Sequence, residues 1–463
     1  MDSTLPAATS DSTEPLRRTV RDELSDQRLI IFMMFGVIFF EWPFAAASRI
    51  IGFYTNSDFL LNNDIGDGFA LLLSFFAAIT GLYASARRGM SASVIVATMC
   101  VVGIFLIQLV SAALNPVELG AWGNPQDEFL RSVTLLGQLL AFTCLPLNFN
   151  QVTPRYIRSY WGLYVSFMLI GLIVTILQSI GTLPNFYFQW FGSQRLPRPA
   201  GGLAHPHYYA VITSLTLFIL VLLRRDNRIS VGWSLILTMA TILAVILSTS
   251  RVGFIVLAIG LVRSGRDLTQ LNWSDYLVSL ILGTMVAVAV VALSIFAGVK
   301  ISGLENLWDI FFSFVGDDKV DVFRGRGTSW SVEIDYISKD VMHFLFGYGY
   351  QPFVSHNLIL RQMQVTGFFG ALFYIILLTL TFRHALTSTM FGYKKLIATI
   401  IIQVIVASSM FPVMVSQLTL AAILVVLAFV SLGSRGFFEG GVMPLPIRQP
   451  GALRYRGGDS RHL

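Results

Sequence analysis

The sequence predicts an all-α polytopic membrane protein of about twelve transmembrane helices. Three observations predict it. Of the 463 residues 55% are hydrophobic and 13% charged, too few charges to cover that much apolar surface in water. The apolar residues gather in runs long enough to cross roughly 30 Å of hydrocarbon as helices. The Lys and Arg residues collect at alternate ends of those runs.

The runs lie near 29–52, 68–86, 92–114, 129–147, 160–183, 207–223, 230–247, 249–262, 276–298, 358–382, 396–412 and 416–433. With both termini cytoplasmic, the short inner loops hold Arg87 and Arg88, Arg155 and Arg158, Arg224, Arg225 and Arg228, Arg263 and Arg266, then Arg383, Lys394 and Lys395. The outer loops at 54–67 and 115–128 hold no Lys or Arg, the bias expected of a multi-pass inner-membrane protein. The chain then divides into a cytoplasmic tail (1–28), transmembrane helices one to nine (29–298), a periplasmic loop (299–357), helices ten to twelve (358–433) and a disordered cytoplasmic tail rich in Gly, Pro and Arg (434–463).

Several function classes drop out. Residues 1–28 mix acidic and basic side chains and no cleavage-site pattern follows the first run, so no secretory signal is expected. Cys100 and Cys144 sit inside apolar runs, which argues against a disulfide framework or a thiolate metal cluster. The net charge of +6 follows from loop bias and gives no reason to expect nucleic acid.

Within the first run, Glu41 is a carboxyl at mid-membrane depth, expected either to pair with an arginine of a functional site or to be a neutral acid bonded inside the bundle. Pro43 is expected to kink that span. Arg49 and Arg131 lie at outer span ends, where interfacial anchoring is the ordinary role. The long loop carries one amphipathic stripe at 304–315 and a second at 330–349, through Trp330, Ile334, Ile337, Val341 and Phe344, ended by Gly347. Asp317, Asp318 and Asp321 in that loop read as solvated, and no metal site is expected.

The stretch "STSRVGF" (248–254) places a permanent charge between two hydrocarbon runs. Arg251 precedes Arg263 by roughly 18 Å along a helix, at about 1.5 Å per residue, which leaves it in the outer part of the bilayer. Such an arginine either snorkels to the headgroups or faces the bundle interior, with Ser248, Thr249 and Ser250 as further polar groups and Gly253 permitting close approach. Arg195, Arg198, Arg324 and Arg326 fall on the same outer side, against the usual bias, and guanidinium groups bind phosphate through paired hydrogen bonds without losing their proton. His356, with Asn357 beside it, stands where the long loop enters span ten. It is either part of a helix cap or a neutral imidazole able to take a proton from a hydroxyl. His205, His207 and His343 are alternatives on the same side, and residue type alone does not choose among the four.

Taken in order, "RPAGGLAHPHYYA" (198–210), "STSRVGF" (248–254), "GRGTSW" (325–330), "FGYG" (346–349) and "HNLILRQMQVTGFFG" (356–370) resemble the O-antigen ligase and O-antigen polymerase superfamily of bacterial envelope glycosyltransferases. The resemblance covers about 198–370; the earlier spans match in hydropathy only. It implies a C-type glycosyltransferase fold that moves a glycan from an undecaprenyl-pyrophosphate carrier to an acceptor hydroxyl at the periplasmic face, with no metal and no cofactor. It further implies that Arg251 and Arg326 hold the donor pyrophosphate and that His356 acts at the acceptor; Arg198 is expected to assist, with Asn357, Glu41, Ser250 and Arg324 as supporting residues. The acceptor is then a growing surface polysaccharide or a lipid A-core, and a chain-length regulator and a flippase are implied partners. The sequence departs from the family pattern at Val252, which intrudes in the Ser-Arg-Gly turn, at Val365, where an acid is usual, and at His207, where Asn is usual. A transporter or lipid-glycan flippase is the rival from another class, although no internal repeat is evident and the polar residues gather on one side. Glycan transfer to protein side chains is a third reading.

Overall fold

The structure is a computed structural model and describes residues 14–117, 121, 123–145, 154–191, 194–203, 205–225, 228–269, 326–389 and 391–436. It is helical apart from one short antiparallel ladder, β1 (Phe188–Phe191) on β2 (Gln194–Pro197), in which Phe188 faces Pro197. In chain order the helices are α1 (Glu14–Phe39), α2 (Ala45–Thr55), α3 (Asp58–Leu61), α4 (Asp64–Arg88), α5 (Ala92–Leu114), α6 (Pro125–Cys144), α7 (Pro154–Ser179), α8 (Pro206–Ser214), α9 (Thr216–Arg225), α10 (Val231–Leu247) and α11 (Arg251–Thr269). After 326 come α12 (Arg326–Ser338), α13 (Val341–Phe346), α14 (Leu358–Ser388), α15 (Phe391–Met410) and α16 (Gln417–Gly436).

Among the described residues seven helical segments are long and apolar enough to cross a membrane: Asp26–Thr55, Asp64–Arg88, Ala92–Leu114, Ser159–Ser179, Pro206–Arg225, Leu358–Ser388 and Tyr393–Met410. Val231–Leu247 and Gln417–Ser431 are shorter apolar helices. The expected runs at 129–147 and 249–262 overlap α6 and α11, neither of which is among those seven. The run at 276–298, the stripe at 304–315 and the acids Asp317, Asp318 and Asp321 lie outside the described residues. The surface agrees with a lipid solvent: Ile95, Met99, Val102, Leu106 and Leu109 repeat at helical spacing along α5 and all are exposed, Met99 by 68%.

Packing inside the bundle follows from small residues. On α4, Gly66, Ala70, Ser74, Ala77, Gly81 and Ala84 make one buried stripe. A side chain on Gly81 would stand 2.9 Å from Cβ of Cys144, and one on Gly137 would stand 3.2 Å from the Ser74 carbonyl oxygen. The backbones of α4 and α6 therefore approach closely, which is how helices gain dispersion contact where lipid is as apolar as leucine. Gln138 ties the pair by donating to Ser74 Oγ at 3.1 Å. At the centre stand α9 and α16, apolar around their whole circumference and buried from Thr216 to Leu222 and from Leu418 to Ser431.

Two expectations gain detail and one changes. The tail 1–28 is helical from Glu14 onward, and Asp26 forms an ion pair with Arg87. The disturbance at Pro43 takes the form of a π-helical turn, Phe40–Phe44: proline has no N–H to donate and crowds the preceding turn, and a wider turn absorbs both effects. The stripe at 330–349 is not one face of one helix. It breaks between α12 and α13, where Asp340 accepts from the amide of Met342, and Ile337 is buried whereas Ile334 and Val341 are exposed.

Candidate functional site at the convergence of three helix N-termini

The N-termini of α8, α11 and α14 meet at one end of the bundle, around the ring of Phe411 just past the end of α15. Ring centroids of His205 and His207 each lie 4.6 Å from Phe411, and that of His356 lies 6.3 Å away. His205 and His207 are 4.9 Å apart. Tyr208 and Tyr187 complete the cluster, at 5.4 Å from Phe411 and 4.4 Å from His205 respectively. Each helix contributes the positive end of its dipole, so the convergence favours a negative ligand.

The turn before α11 is held in an unusual way. α10 ends with Thr249 in the left-handed region, φ +51°, where a β-branched residue is strained. Arg198 offsets that strain. Its Nε donates to Thr249 Oγ1 at 2.9 Å, and its Nη2 donates to the carbonyl oxygens of Thr249 and, at 3.4 Å, Ser248. Ser250 then caps α11 by accepting from the amide of Gly253 at 3.1 Å. Gly253 is needed for a close approach, since a Cβ there would stand 2.3 Å from Cβ of Ala210 on α8. The result is that Arg251 begins α11, half-buried, where a cation beside a positive helix end calls for an anion.

Arg198 reaches the turn through the segment that follows β2. Its amide donates to Tyr187 O at 2.9 Å, and the amide of Ala200 donates to Gln178 Oε1 at 3.1 Å. Gly201 and Gly202 adopt φ of +61° and +82° and wedge between Tyr209 and Ala46; Cβ atoms there would come within 2.4 and 2.3 Å of those side chains. Arg49 donates to Gly202 O at 3.3 Å, so it braces this segment in addition to standing near a span end. Glu41 has Asp67 and Arg49 as its charged neighbours, and Asn63 donates to Asp67 at 3.3 Å. Arg49 is therefore the arginine whose charge reaches Glu41, and Asp67 is the group that shares a hydrogen bond with it.

The second half of the site is a latch around α14. Asn357 caps that helix, its Oδ1 accepting from the amides of Ile359 and Leu360 at 2.8 and 3.2 Å. Capping is thus the task of Asn357, and the His356 ring turns toward Phe411. Arg361, buried, bonds Glu128 and donates to Gln351 Oε1 at 3.1 Å, while Glu128 also pairs with Arg131 at 2.9 Å. Arg131, expected as an interfacial anchor, thus belongs to this network.

The glycines of "FGYG" and of the histidine segment serve backbone crossing. Gly347, Gly349 and Gly367 all have positive φ. The amides of Tyr348 and Gly349 donate to the carbonyls of Gln364 and Val365 at 2.8 and 2.9 Å, which opens α14 at Gly367. A Cβ on Gly349 would lie 2.3 Å from the backbone nitrogen of Ala112, so this crossing rests on α5. Beside Val365, where an acid was missed in the sequence, Gln364 donates at 3.0 Å to Glu333, a buried carboxylate carried by α12.

The four candidate histidines now separate. His205 caps α8, its Nδ1 accepting from the amide of His207 at 3.3 Å. Protein atoms crowd the ring although it is only half-buried by accessible surface; burial first, then the charge of Arg198 and of His356, holds its pKa down to about 3. His343 stacks on Tyr348 at 4.1 Å and bonds Asn115 at 2.7 Å, away from the Phe411 cluster. His207 bonds Ser250, with 2.7 Å between Nδ1 and Oγ. Of the expected pyrophosphate-binding residues, Arg198 bonds the turn that holds the supporting Ser250, and Arg251 follows Ser250 as the first residue of α11. Arg326 is the first residue of α12, and Arg324 lies outside the described residues.

No protein-family model and no curated protein matches this chain. Among the described residues no three His, Cys, Asp or Glu side chains converge as metal ligands do. Sequence reasoning passed over Phe411 and the Glu128–Arg361 pair, and it named Thr249 only as a polar group, without its left-handed backbone. A Phe-Pro step at the end of an apolar run is the one local signal that pointed to the first.

Proposed function

We propose that the chain is a membrane-embedded, C-type glycosyltransferase of about twelve spans, lying in a bacterial inner membrane with both termini cytoplasmic and its site on the periplasmic side. It transfers a glycan from an undecaprenyl-pyrophosphate carrier to an acceptor sugar hydroxyl, as a polymerase of a surface polysaccharide. The observation that carries the reading is the union of Arg198, the Ser250–Arg251 turn and His356 around Phe411, at three helix N-termini.

In this mechanism the acceptor oxygen attacks the anomeric carbon, and the bond from that carbon to the carrier's phosphate oxygen breaks. The undecaprenyl pyrophosphate leaves with the bonding electrons, the anomeric centre inverts, and His356 accepts the hydroxyl proton. Arg251 and Arg326 neutralise the leaving group, with Arg324 in support, and Arg198 acts by holding the turn that presents Arg251. A chain-length regulator and a flippase would work beside it.

The test is polysaccharide analysis of cells carrying His356→Ala or Arg251→Ala. Loss of long chains with accumulation of the lipid-linked unit is expected, and normal chain length and attachment in both variants overturns the reading. Loss of attachment to lipid A-core with chain length unchanged would make the protein a ligase. Movement of labelled lipid-linked glycan across vesicles without glycosyl transfer would make it a flippase.

A further inference from the structure

α13 is six residues long, and helical spacing sorts its side chains by polarity. Phe344, Val341, Leu345 and Met342 follow one another around one arc, with Val341 exposed by 70%, Met342 by 56% and Phe344 by 37%. His343, the one polar side chain of the helix, lies on the other side and turns into the bundle, where it bonds Asn115 just past the end of α5. The ends of the helix are satisfied from the protein as well. Asp340 accepts from the amide of Met342, Ser111 Oγ donates to the carbonyl of Phe346 at 2.6 Å, and Asn115 donates to that of Gly347 at 3.4 Å. A helix with capped ends, an inward polar side chain and an apolar arc turned out suits an apolar solvent.

The neighbouring element gives its depth. Phe344 stacks on Phe368 of α14, with 5.8 Å between ring centroids and 12° between planes. Phe368 begins the exposed column of α14, which runs on through Leu372 and Ile375, whereas Gln364, Val365, Thr366 and Gly367 just before it are buried. Phe368 precedes the exposed Arg383 by roughly 22 Å along the helix, at about 1.5 Å per residue. With Arg383 at one edge of about 30 Å of hydrocarbon, Phe368 lies inside the opposite edge, and Phe344 shares its level. The break at Gly367 agrees, because helix backbone opened at that depth has to be covered by protein. The segment from Gly347 to Gly349 covers it, and α13 leads directly into that segment.

We propose that α13 is a re-entrant lipid-docking element, its arc of Val341, Met342 and Phe344 set among the acyl chains of the leaflet opposite Arg383. Continuity decides the occupant: the stack of Phe344 on Phe368 joins the arc to the exposed face of a helix long and apolar enough to span a membrane. Lys339 and Asp340, both exposed, directly precede the helix and stand at the headgroup edge. The inference is independent of the glycan-transfer reading.

The experiment places a nitroxide on the full chain in nanodiscs of phosphatidylcholine and phosphatidylglycerol, through Val341→Cys and Met342→Cys in separate preparations. Cys100 and Cys144 are buried, and labelling of the natural protein gives the background. Power saturation compares collisions with oxygen, which gathers among acyl chains, and with a nickel chelate, which stays in water. Oxygen should prevail at both positions, as at Leu372→Cys on α14, whereas nickel should prevail at Lys339→Cys.

Nickel prevailing at both arc positions would make the arc water-facing and overturns the inference. It is equally overturned if neither reagent reaches them while Leu372→Cys reports oxygen, because another protein surface then covers the arc. Spectral broadening that disappears on dilution with unlabelled chain would name that surface as a second copy.

Discussion

Gly347 and Gly367 stand backbone to backbone: a Cβ on either would lie 2.5 Å from the amide nitrogen of the other. This contact joins the end of α13 to the break in α14, eleven residues after the histidine of the candidate site. Gly367 has φ +63° and ψ −168°, a region open almost only to glycine.

Gly367→Ala is therefore expected to cost about 3 kcal/mol or more, the sum of backbone strain and forced separation of the chains. Gly68→Ala and Gly162→Ala, where an added Cβ meets nothing within 4 Å, should change stability by no more than about 1 kcal/mol and in the favourable direction. Thermal unfolding of the purified variants in one detergent checks the contrast. Equal losses at Gly367 and Gly68 would contradict it.

The Glu128–Arg361 pair makes a second prediction. Both side chains are 4% exposed, so removing one partner strands a buried charge. Glu128→Leu alone should destabilise by about 3–5 kcal/mol, and adding Arg361→Met should restore most of that loss. The measurement is a double-mutant thermal unfolding cycle. Additive losses would mean that the two side chains do not act as a pair.

His205 predicts a pH dependence. Its folded pKa of about 3 lies below the ordinary histidine value near 6.5, so below that value the unfolded chain binds more protons than the folded one. Stability is then complete above about pH 6.5 and falls as the pH drops toward the folded value. His205→Asn keeps an oxygen acceptor for the α8 cap and removes the titrating ring, so its melting temperature should change less between pH 7 and pH 4. A steeper acid loss in His205→Asn than in the natural protein would sink this account.

Much of the frame was legible beforehand because hydropathy and helix length are local sums. The run at 92–114 coincides with α5, those at 68–86 and 358–382 fall within α4 and α14, and most of the others overlap helices whose ends differ by a few residues. The stripe at 330–349 failed for a local reason too, since Asp340 is a helix-capping residue in the middle of an apparently continuous pattern. In the site, Arg251 and His356 drew attention as polar residues in costly places, and Asn357 as a cap was readable from its type.

The rest depended on which segments meet. Hydrogen bonds act over about 3 Å, and ring packing over only a few ångströms more, so neither leaves a trace in residue order. Arg198 was expected at the donor phosphates, and residue order gave no sign that its guanidinium also bonds the strained Thr249 turn. Four histidines were equivalent on paper and differ once Ser250, Phe411 and Tyr348 are beside them. The amino-acid order determined a helical, lipid-solvated chain with cations placed where they must find anions. Only the tertiary structure decided which polar side chains gather around Phe411 and which partners each imidazole meets, because those properties belong to contacts between residues distant in the chain.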